Sequence, residues 1–525
     1  MRKKSLLAQA LVLAMTASTI TGFSTSEINA AATPKLNTKG ISIEKGSKKV
    51  LTVKKTAGIK KIVSISWKSN KTTVATVKKK NSTSATVVGK SSGTAKITAS
   101  VKYKTKKTLS KKLTCTVKVK NKPKATITPT AVPTPTPTAT PVPTPVPSTT
   151  LKDAVDFNMG TVISYDGKNS FQDERFTKIA KENFDIVSFE NEMKGYSLLD
   201  DEASQASEDG MPVCKFEQAD EMVQWAVNNG LKVRGHVLIW EASMSESFFH
   251  VGYDEEKELV DADTLKKRMQ NYCKQVVTHF EKKFPGTVIA WDVVNEAIDA
   301  GATETDPTTG LYLYTTGKFY QILGGDYIKY AFQYAKEAVA AAKEINPNSE
   351  ILLYYNDFNT FQYPKTDRII ELIRYLNKDP QNPLLDCMGM EGYVQYNWPD
   401  PADVSSALKK YAKEGVKIGV NELTVRMNEK VAGHAITEKD VKDHATKYAK
   451  LFRVYYLFNE KYPNTLTNVS IWGLTDHPEL KEFEEDGTKN YDYDIYGTHS
   501  GIFTEEYEKK QVFDDILTML NSLRK

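Results

Sequence analysis

The feature that most constrains the fold is an alternation of strand-like and helix-like segments from residue 151 to residue 525. Long stretches with helical periodicity, such as "EQADEMVQWAVNNG" and "PADVSSALKKYAKEG", separate most of eight short apolar runs. Such an alternation requires parallel strands, because each helix returns the chain to the start of the next strand. Eight units in this length predict an α/β fold, a (β/α)8 TIM barrel with inserted loops. The runs are "AVDFNMGTV", "FDIVSFE", "LKVRGHVLIW", "TVIAWDVVNE", "ILLYYND", "LLDCMGME", "VKIGVNEL" and "NVSIWGLT".

Two of these runs end on a carboxylate. The stretch "IAWDVVNEA" leads an apolar strand to Asn295 and Glu296, and "KIGVNELTV" leads a second one to Glu422. Because a parallel barrel gathers its chemistry at the carboxyl ends of its strands, both glutamates are expected at the same mouth. One protonated and one ionised carboxyl group are the minimum equipment for glycoside hydrolysis. For either glutamate alone, a salt bridge within the barrel is the alternative.

The sequence of residues 151–525 contains fewer motifs for other kinds of catalysis. Residues 151–525 contain no G-x-S-x-G elbow, no H-E-x-x-H and no P-loop. The whole chain has only seven histidines. The pattern therefore favours hydrolysis by two carboxyl groups.

The chain begins "MRKKSLLAQALVLAMTASTITGFSTSEINAAAT", with a cationic start, an apolar stretch and then small residues. This is typical of a secretory signal peptide, which we place at residues 1–31, and it predicts a secreted, extracellular protein, with cell-wall association as one option. No later segment is apolar for long enough to predict a membrane span. The four cysteines are widely scattered and are expected to be buried thiols, with a disulfide as the alternative. They are Cys115, Cys214, Cys273 and Cys387.

Charge and composition divide the remainder of the chain. Residues 31–124 hold 26 lysines and a single acid, Glu44, whereas residues 151–525 carry a net charge of −21 within a chain total of +6. Residues 122–150 are a proline- and threonine-rich linker with eight prolines between Pro129 and Pro147. Residues 36–121 alternate in a strand-like manner in six runs, from "KKVLTVKKT" to "LTCTVKVK", and predict a small antiparallel sandwich.

The pattern "SWKSN…VATV…GKSSGTAKITA" in residues 36–121 resembles the bacterial immunoglobulin-like domains of secreted surface proteins. Its lysines are either a solvated face or a surface for an anionic cell-wall polymer, since a cationic surface concentrates counter-charge. The segment has few aromatic residues and no recognition helix, so we expect no nucleic-acid partner.

Six motifs stand near the ends of the barrel runs. They are "FENEMK" on the second run, "RGHVLIW" on the third, "WDVVNEAI" on the fourth, "YYNDFN" on the fifth, "NELTV" on the seventh and "WGLTD" on the eighth. Together they resemble glycoside hydrolase family 10, whose main activity is endo-1,4-β-xylanase, over essentially all of residues 151–525. The motif "WDVVNEAI" is highly specific, and "YYNDFN" is less so.

The resemblance implies that Glu296 is the catalytic acid/base and Glu422 the nucleophile, and it implies no metal or cofactor. The tryptophans among the implied binding residues could instead fill the barrel rim, Asn191 and Lys194 could be surface polar groups, and His236 could be a core histidine. The residues expected to bind substrate are Glu190, Asn191, Lys194, His236, Trp240, Asn295, Tyr393 and Trp472.

Several cleft positions depart from the family pattern. Glu391 and Tyr393 stand where the family has a glutamine and a histidine, and the Tyr393 hydroxyl is expected to donate to Glu422. Glu241 and Glu391 are expected to add negative charge, and the second tryptophan after "WGLTDH" is missing from "PELKEFEEDG". The other departures are Ser243, Ser245, Ser247, Asn421 and Thr424. These changes indicate altered specificity more than lost activity.

The sequence therefore predicts a secreted retaining endo-β-glycanase acting on a xylan-type β-1,4-linked polysaccharide. One alternative is a β-glycosidase with specificity remodelled for another β-linked sugar. A second is a barrel that binds polysaccharide without cutting it, and a third, weaker one is a wall-anchored structural protein.

Overall fold

The computed structural model of the chain describes residues 33–56, 59–105, 107–120, 147–427, 436–478 and 497–524. These form two compact units, one on each side of the predicted linker. The predicted signal peptide and residues 122–146 of the linker lie outside the described residues. Among the helices that the structure describes, none has both the length and the apolar character that a membrane crossing requires.

The N-terminal unit is an all-β structure of two four-stranded sheets, with strand orders β1-β3-β6-β5 and β2-β8-β7-β4. All pairings are antiparallel except that of β2 with β8. Leu51 and Val87 of one sheet pack in one apolar cluster with Ile97, Cys115 and Val117 of the other. The strands are β1 Lys35–Leu36, β2 Gly40–Glu44, β3 Lys48–Lys54, β4 Lys61–Ser69, β5 Ala75–Lys79, β6 Ser84–Gly89, β7 Gly93–Lys104 and β8 Thr108–Lys120.

The sequence pattern of β8 explains this packing. Cys115, Val117 and Val119 are buried, whereas Lys118 and Lys120 between and after them are exposed. Side chains two apart share one face of a strand, so the alternation separates an apolar face from a lysine-bearing one. The six predicted runs correspond to β3–β8, and the short strands β1 and β2 were not predicted.

The second unit is a closed barrel of eight parallel strands, as predicted. Each barrel strand overlaps one of the eight predicted runs. The barrel strands are β9 Asn158–Ile163, β10 Ile186–Phe189, β11 Lys232–Gly235, β12 Val288–Asn295, β13 Leu352–Asp357, β14 Cys387–Met390, β16 Lys417–Arg426 and β17 Leu466–Ile471. A ninth strand, β15 Tyr393–Gln395, pairs with the carboxyl end of β16 outside the barrel ring.

Helices cover the outside of the barrel and bury one face each. In α7, four alanines spaced by three or four residues are buried, which places them on one face of the helix. The helices are α1 Glu174–Asn183, α2 Gly195–Leu198, α3 Asp201–Gln205, α4 Glu217–Asn228, α5 Ala262–Lys283, α6 Lys318–Leu323, α7 Tyr327–Ile345, α8 Lys365–Leu376, α9 Pro401–Lys413, α10 Glu438–Lys461 and α11 Gln511–Leu523.

The four cysteines form no disulfide. Cys115, Cys273 and Cys387 are buried, and Cys214 is half-buried. Burial raises the pKa of the Cys214 thiol to about 12. They are therefore unreactive thiols at neutral pH, in agreement with the first of the two predicted alternatives.

Candidate active site

Glu296 lies immediately beyond the carboxyl end of β12. Its backbone N–H donates to the carbonyl of Asn356 on the neighbouring strand β13 at 2.9 Å. Its φ angle is 51°, a left-handed conformation that side-chain-bearing residues adopt rarely. The strand thus ends in a tight turn at this residue, and such positions are common where a side chain must serve a site.

Glu422 lies within β16 and is 4% exposed. Its Oε1 accepts a hydrogen bond from Nδ2 of Asn356 at 2.9 Å. Its Oε2 accepts one from the hydroxyl of Tyr393, which is the contact predicted from the sequence. Each oxygen of the predicted nucleophile is therefore held by a donor from a different strand.

Asn356 is the centre of this arrangement, although no role was predicted for it from the sequence. The same Nδ2 also donates to Oδ1 of Asn295 at 2.9 Å, and its Oδ1 accepts from Asn421 at 2.9 Å. Asn468 donates in turn to Asn421 at 3.1 Å. Gly389 leaves room for the pair, since a Cβ there would lie 2.5 Å from an amide atom of both Asn356 and Asn421.

A third carboxyl group, that of Glu391, follows β14 and is 2% exposed. It is hydrogen-bonded to Glu296, and its Oε1 lies 3.3 Å from Nδ2 of Asn356. Burial, together with the negative charges of Glu296, Glu422 and Asp357, raises the pKa of Glu391 well above its usual range. An added acid was expected to bring negative charge to the cleft; Glu391 lies there, but its raised pKa favours the neutral form.

Burial raises the pKa of Glu296 to about 7, and the charges of Asp357 and Glu422 act in the same direction. The Lys365 ammonium opposes this shift. A carboxyl group with such a pKa carries a proton at mildly acidic pH and can release it near neutrality. This is the behaviour that a general acid requires.

A buried ion pair adjoins the three carboxyl groups. Nζ of Lys365, from α8, lies 2.6 Å from Oδ1 of Asp357 on β13, and both side chains are almost completely buried. The ammonium lies 3.6 Å from the centre of the Phe358 ring, and the Tyr355 hydroxyl donates to Oδ2 of Asp357. The motif "YYNDFN" pointed to β13, but no sequence signal linked a helix residue to it.

His236 follows β11, and its ring contacts Asp292 on the neighbouring strand β12. Its Nδ1 lies 2.8 Å from Oδ2 of Asp292, which also pairs with Arg234. Although burial acts to raise it, Arg234 and His236 hold the pKa of Asp292 below its usual range. Asp292 is therefore the anion that orients the His236 ring.

The rings of two tryptophans flank His236, with centroids 5.9 Å from Trp240 and 6.1 Å from Trp472. Nζ of Lys194 lies 5.4 Å from the centre of the Trp240 ring. Trp240 is partly exposed, whereas Trp472 is 4% exposed and packs against Val162. These residues follow β10, β11 and β17 and occupy one sector of the barrel mouth.

The remaining predicted binding residues follow β10 in the same sector. Glu190 accepts a hydrogen bond from Ser164 at 2.5 Å. Asn191 is exposed and accepts one from the hydroxyl of Tyr196 at 2.7 Å. The structure thus brings all ten predicted site residues to the carboxyl ends of the barrel strands, and their individual roles remain predictions.

Several residues that depart from the family pattern are hydrogen-bonded to other parts of the chain. Oε2 of Glu241 accepts the backbone N–H of Phe319 at 3.3 Å, so its carboxylate is tied to the start of α6. Ser245 and Ser247 both donate to Asp201, at 2.8 and 2.5 Å. Ser243 donates to the Trp240 carbonyl at 3.4 Å, and Thr424 accepts from the Gly473 N–H at 3.1 Å. Residues 479–487, where the second tryptophan is missing, lie outside the described residues.

A cavity of about 520 Å³ lies at the opposite, amino end of the barrel. Arg234, Tyr354, Lys417, Thr467 and Asn468 contribute to its lining, and none of the three clustered glutamates does. It is therefore separate from the carboxylate cluster.

The sequence of the chain is similar to a known protein family and to several named relatives. Residues 149–519 match the family described as "Glycosyl hydrolase family 10". A protein of Caldicellulosiruptor saccharolyticus named "Putative endo-1,4-beta-xylanase" is 34% identical over 303 residues, which cover 56% of this chain and 90% of that protein. "Endo-1,4-beta-xylanase A" of Thermotoga neapolitana is 33% identical over 62% of this chain, but the match spans only 26% of the relative's own length.

Among solved structures, xylanase XynB from Paenibacillus barcinonensis, in complex with a conduramine derivative, superposes with a TM-score of 0.54 and 26% identity. The superposition covers 71% of this chain and 99% of that one.

Proposed function

This chain belongs to glycosyl hydrolase family 10, and on that premise we propose that it is a secreted endo-β-glycanase that cleaves xylan-type β-1,4-linked backbones with retention of configuration. The observation that carries the proposal is the pair formed by Glu296, immediately beyond β12, and Glu422, within β16. Glu296 has a pKa of about 7, whereas both oxygens of Glu422 accept hydrogen bonds. One group is thereby suited to give a proton and the other to attack as a carboxylate.

In the first step, Glu422 attacks the anomeric carbon, and the bond from that carbon to the leaving oxygen breaks. Glu296 gives its proton to the leaving oxygen, so that a covalent glycosyl–Glu422 intermediate and an ionised Glu296 result. Tyr393 and Asn356 hold the carboxylate of Glu422 in one orientation before attack. Such preorganised contacts need no rearrangement during the reaction.

In the second step, Glu296 takes a proton from water, and the oxygen of that water attacks the anomeric carbon. The bond to Glu422 breaks and the β configuration is restored. This double displacement requires the two carboxyl groups to lie about 5–5.5 Å apart. Asn295, which shares the Asn356 amide with Glu422, is suited to bind the 2-hydroxyl of the sugar attached to Glu422.

The names of the relatives support a xylan-type substrate. The replaced residues Glu391 and Tyr393 favour the alternative of a β-glycosidase with remodelled specificity, because they contact the two catalytic glutamates directly. In both cases the chemistry is the same, and the difference lies in which β-linked sugar the cleft accepts.

The experiment compares xylan, mixed-linkage β-glucan and aryl β-glycosides as substrates for the full-length protein. We expect reducing ends to be released from xylan and their release to be abolished in Glu422→Gln. If no β-glycan is cleaved and Glu422→Gln binds polysaccharide as well as the unaltered protein does, the chain is a binding barrel and the enzymatic proposal fails.

For the N-terminal unit we propose an immunoglobulin-like domain that holds the secreted enzyme to an anionic cell-wall polymer. Its lysine-bearing strand faces and the 26 lysines of residues 31–124 support this. Sedimentation of the protein with isolated cell walls should decrease with salt and should be lost on deletion of residues 33–120. Equal sedimentation of the deletion variant would contradict it.

A further inference from the structure

Glu391 is in contact with both predicted catalytic glutamates. It is hydrogen-bonded to Glu296, and it shares Nδ2 of Asn356 with Glu422, at 3.3 Å and 2.9 Å respectively. Its backbone is fixed as well, because its N–H donates to the Asp357 carbonyl and its carbonyl accepts from the Glu422 N–H. The carboxyl group is thus held in one place by three neighbouring strands.

The charged groups around Glu391 are mostly of its own sign. They are Glu296 beyond β12, Asp357 on β13 and Glu422 on β16, together with the cation Lys365 from α8. Lys365 lies 2.6 Å from Asp357 and is already paired. A buried carboxylate without its own cation is costly, so the neutral acid is the stable form.

We propose that Glu391 is a positioning residue that keeps its proton throughout the reaction and donates a hydrogen bond to Glu296 whenever Glu296 is ionised. The inference deepens the proposed function and rests on it. Glu391 transfers nothing. When Glu296 gives its proton to the leaving oxygen, the O–H of Glu391 stabilises the carboxylate that forms, and when Glu296 is reprotonated by water that stabilisation ends.

This arrangement differs from the glutamine that the sequence resemblance implies at this position. An amide N–H would also reach Glu296, but a hydrogen bond from a carboxylic acid to a carboxylate is shorter and stronger. The proton on Glu391 therefore makes Glu296 a better acid in the first step and a weaker base in the second. This gain in the acidity of Glu296 should affect the rate most for substrates whose leaving group needs protonation.

The test is Glu391→Gln, assayed by the pH dependence of kcat/KM. We expect the alkaline limb to move to higher pH by about 0.5 unit, because the Glu296 carboxylate loses its stronger donor. We also expect kcat/KM to fall several-fold on xylo-oligosaccharides and by less than twofold on an aryl β-xyloside with an activated leaving group. The control is Glu281→Gln, because Glu281 is a buried glutamate outside the site. This variant should leave the alkaline limb of the pH profile unchanged.

A limb that moves to lower pH would mean that Glu391 is ionised, and an unmoved limb would mean that it does not act on Glu296. Either result overturns the inference.

A second measurement uses the unaltered protein, so its result does not depend on whether a substituted protein folds. In a carbon-13 NMR titration with labelled glutamate, Glu296 should lose its proton near pH 7, while the Glu391 signal senses that step and keeps the chemical shift of a carboxylic acid. A Glu391 signal at the chemical shift of a carboxylate at pH 7 would overturn the inference. This readout is independent of turnover, so absence of hydrolysis with a protonated Glu391 present would count against the proposed function alone.

Discussion

The hydroxyl of Tyr393 donates a hydrogen bond to Oε2 of Glu422, while Asn356 donates to Oε1 of the same carboxylate. Tyr393 lies on β15, the short strand that pairs with the end of β16. Glu422 is therefore fixed by one residue of the barrel ring and one from outside it.

Removal of the Tyr393 hydroxyl should slow the attack of Glu422. A hydrogen bond to a charged group contributes about 1.5–3 kcal/mol, so we expect Tyr393→Phe to lower kcat/KM by about 10- to 100-fold on xylan fragments. Tyr375→Phe is the matched control, since its hydroxyl donates to Asp326 away from the site. Equal activities of the two variants would show that the Tyr393 contact is dispensable.

Replacement of Asn356 by Asp should be more damaging. It exchanges the amide donor for a carboxylate beside Glu422 and Glu391, and nearby like charge raises carboxyl pKa values. We expect kcat to fall by at least about 100-fold at pH 6 with partial recovery at lower pH, where the new acid is neutral. A pH-independent loss would point to misfolding, which near-ultraviolet circular dichroism would reveal.

The pH profile should reflect the pKa of Glu296. Since that pKa is raised to about 7, the acid form is present below pH 7 and is lost as pH rises through that value. The value of kcat/KM on unactivated substrates should therefore fall tenfold per pH unit above the limb. A limb near pH 4.5–5 would mean that Glu296 has an ordinary carboxyl pKa.

Loss of Lys365 should destabilise the barrel. Lys365→Met leaves the buried Asp357 without its cation, and breaking such a pair costs about 3–5 kcal/mol. Urea unfolding should show this loss, and the double variant Lys365→Met, Asp357→Asn should recover part of it. If the double variant is no more stable than Lys365→Met, the cost is one of packing and not of charge.

The alternation of runs was sufficient to predict the barrel, because each strand–helix unit carries its own periodicity and turn signals. It also pointed to Glu296 and Glu422, since a carboxylate that follows an apolar run is a local feature of the sequence. Asn356 and Lys365 were not identified, because their roles arise from contacts between β13, β16 and α8 that sequence spacing does not encode. The contact of Glu241 with Phe319 was not predicted for the same reason, since the two residues lie 78 apart in the chain.

The hydrogen bonds that reach Glu422 have a direction. Tyr354 donates to Thr467, Thr467 to Asn468, Asn468 to Asn421, and Asn421 to Asn356, which donates to the carboxylate. Because every amide has one donor end and one acceptor end, a reversed Asn356 would require the whole row to reverse. The negative charge of Glu422 therefore fixes the donor-to-acceptor direction of this row of hydrogen bonds, which begins at residues that line the amino-end cavity. When Glu422 becomes an ester in the glycosyl intermediate, that charge is lost. The side-chain amide resonances of Asn468 should then shift, although Asn468 lies at the opposite end of the barrel from the reaction.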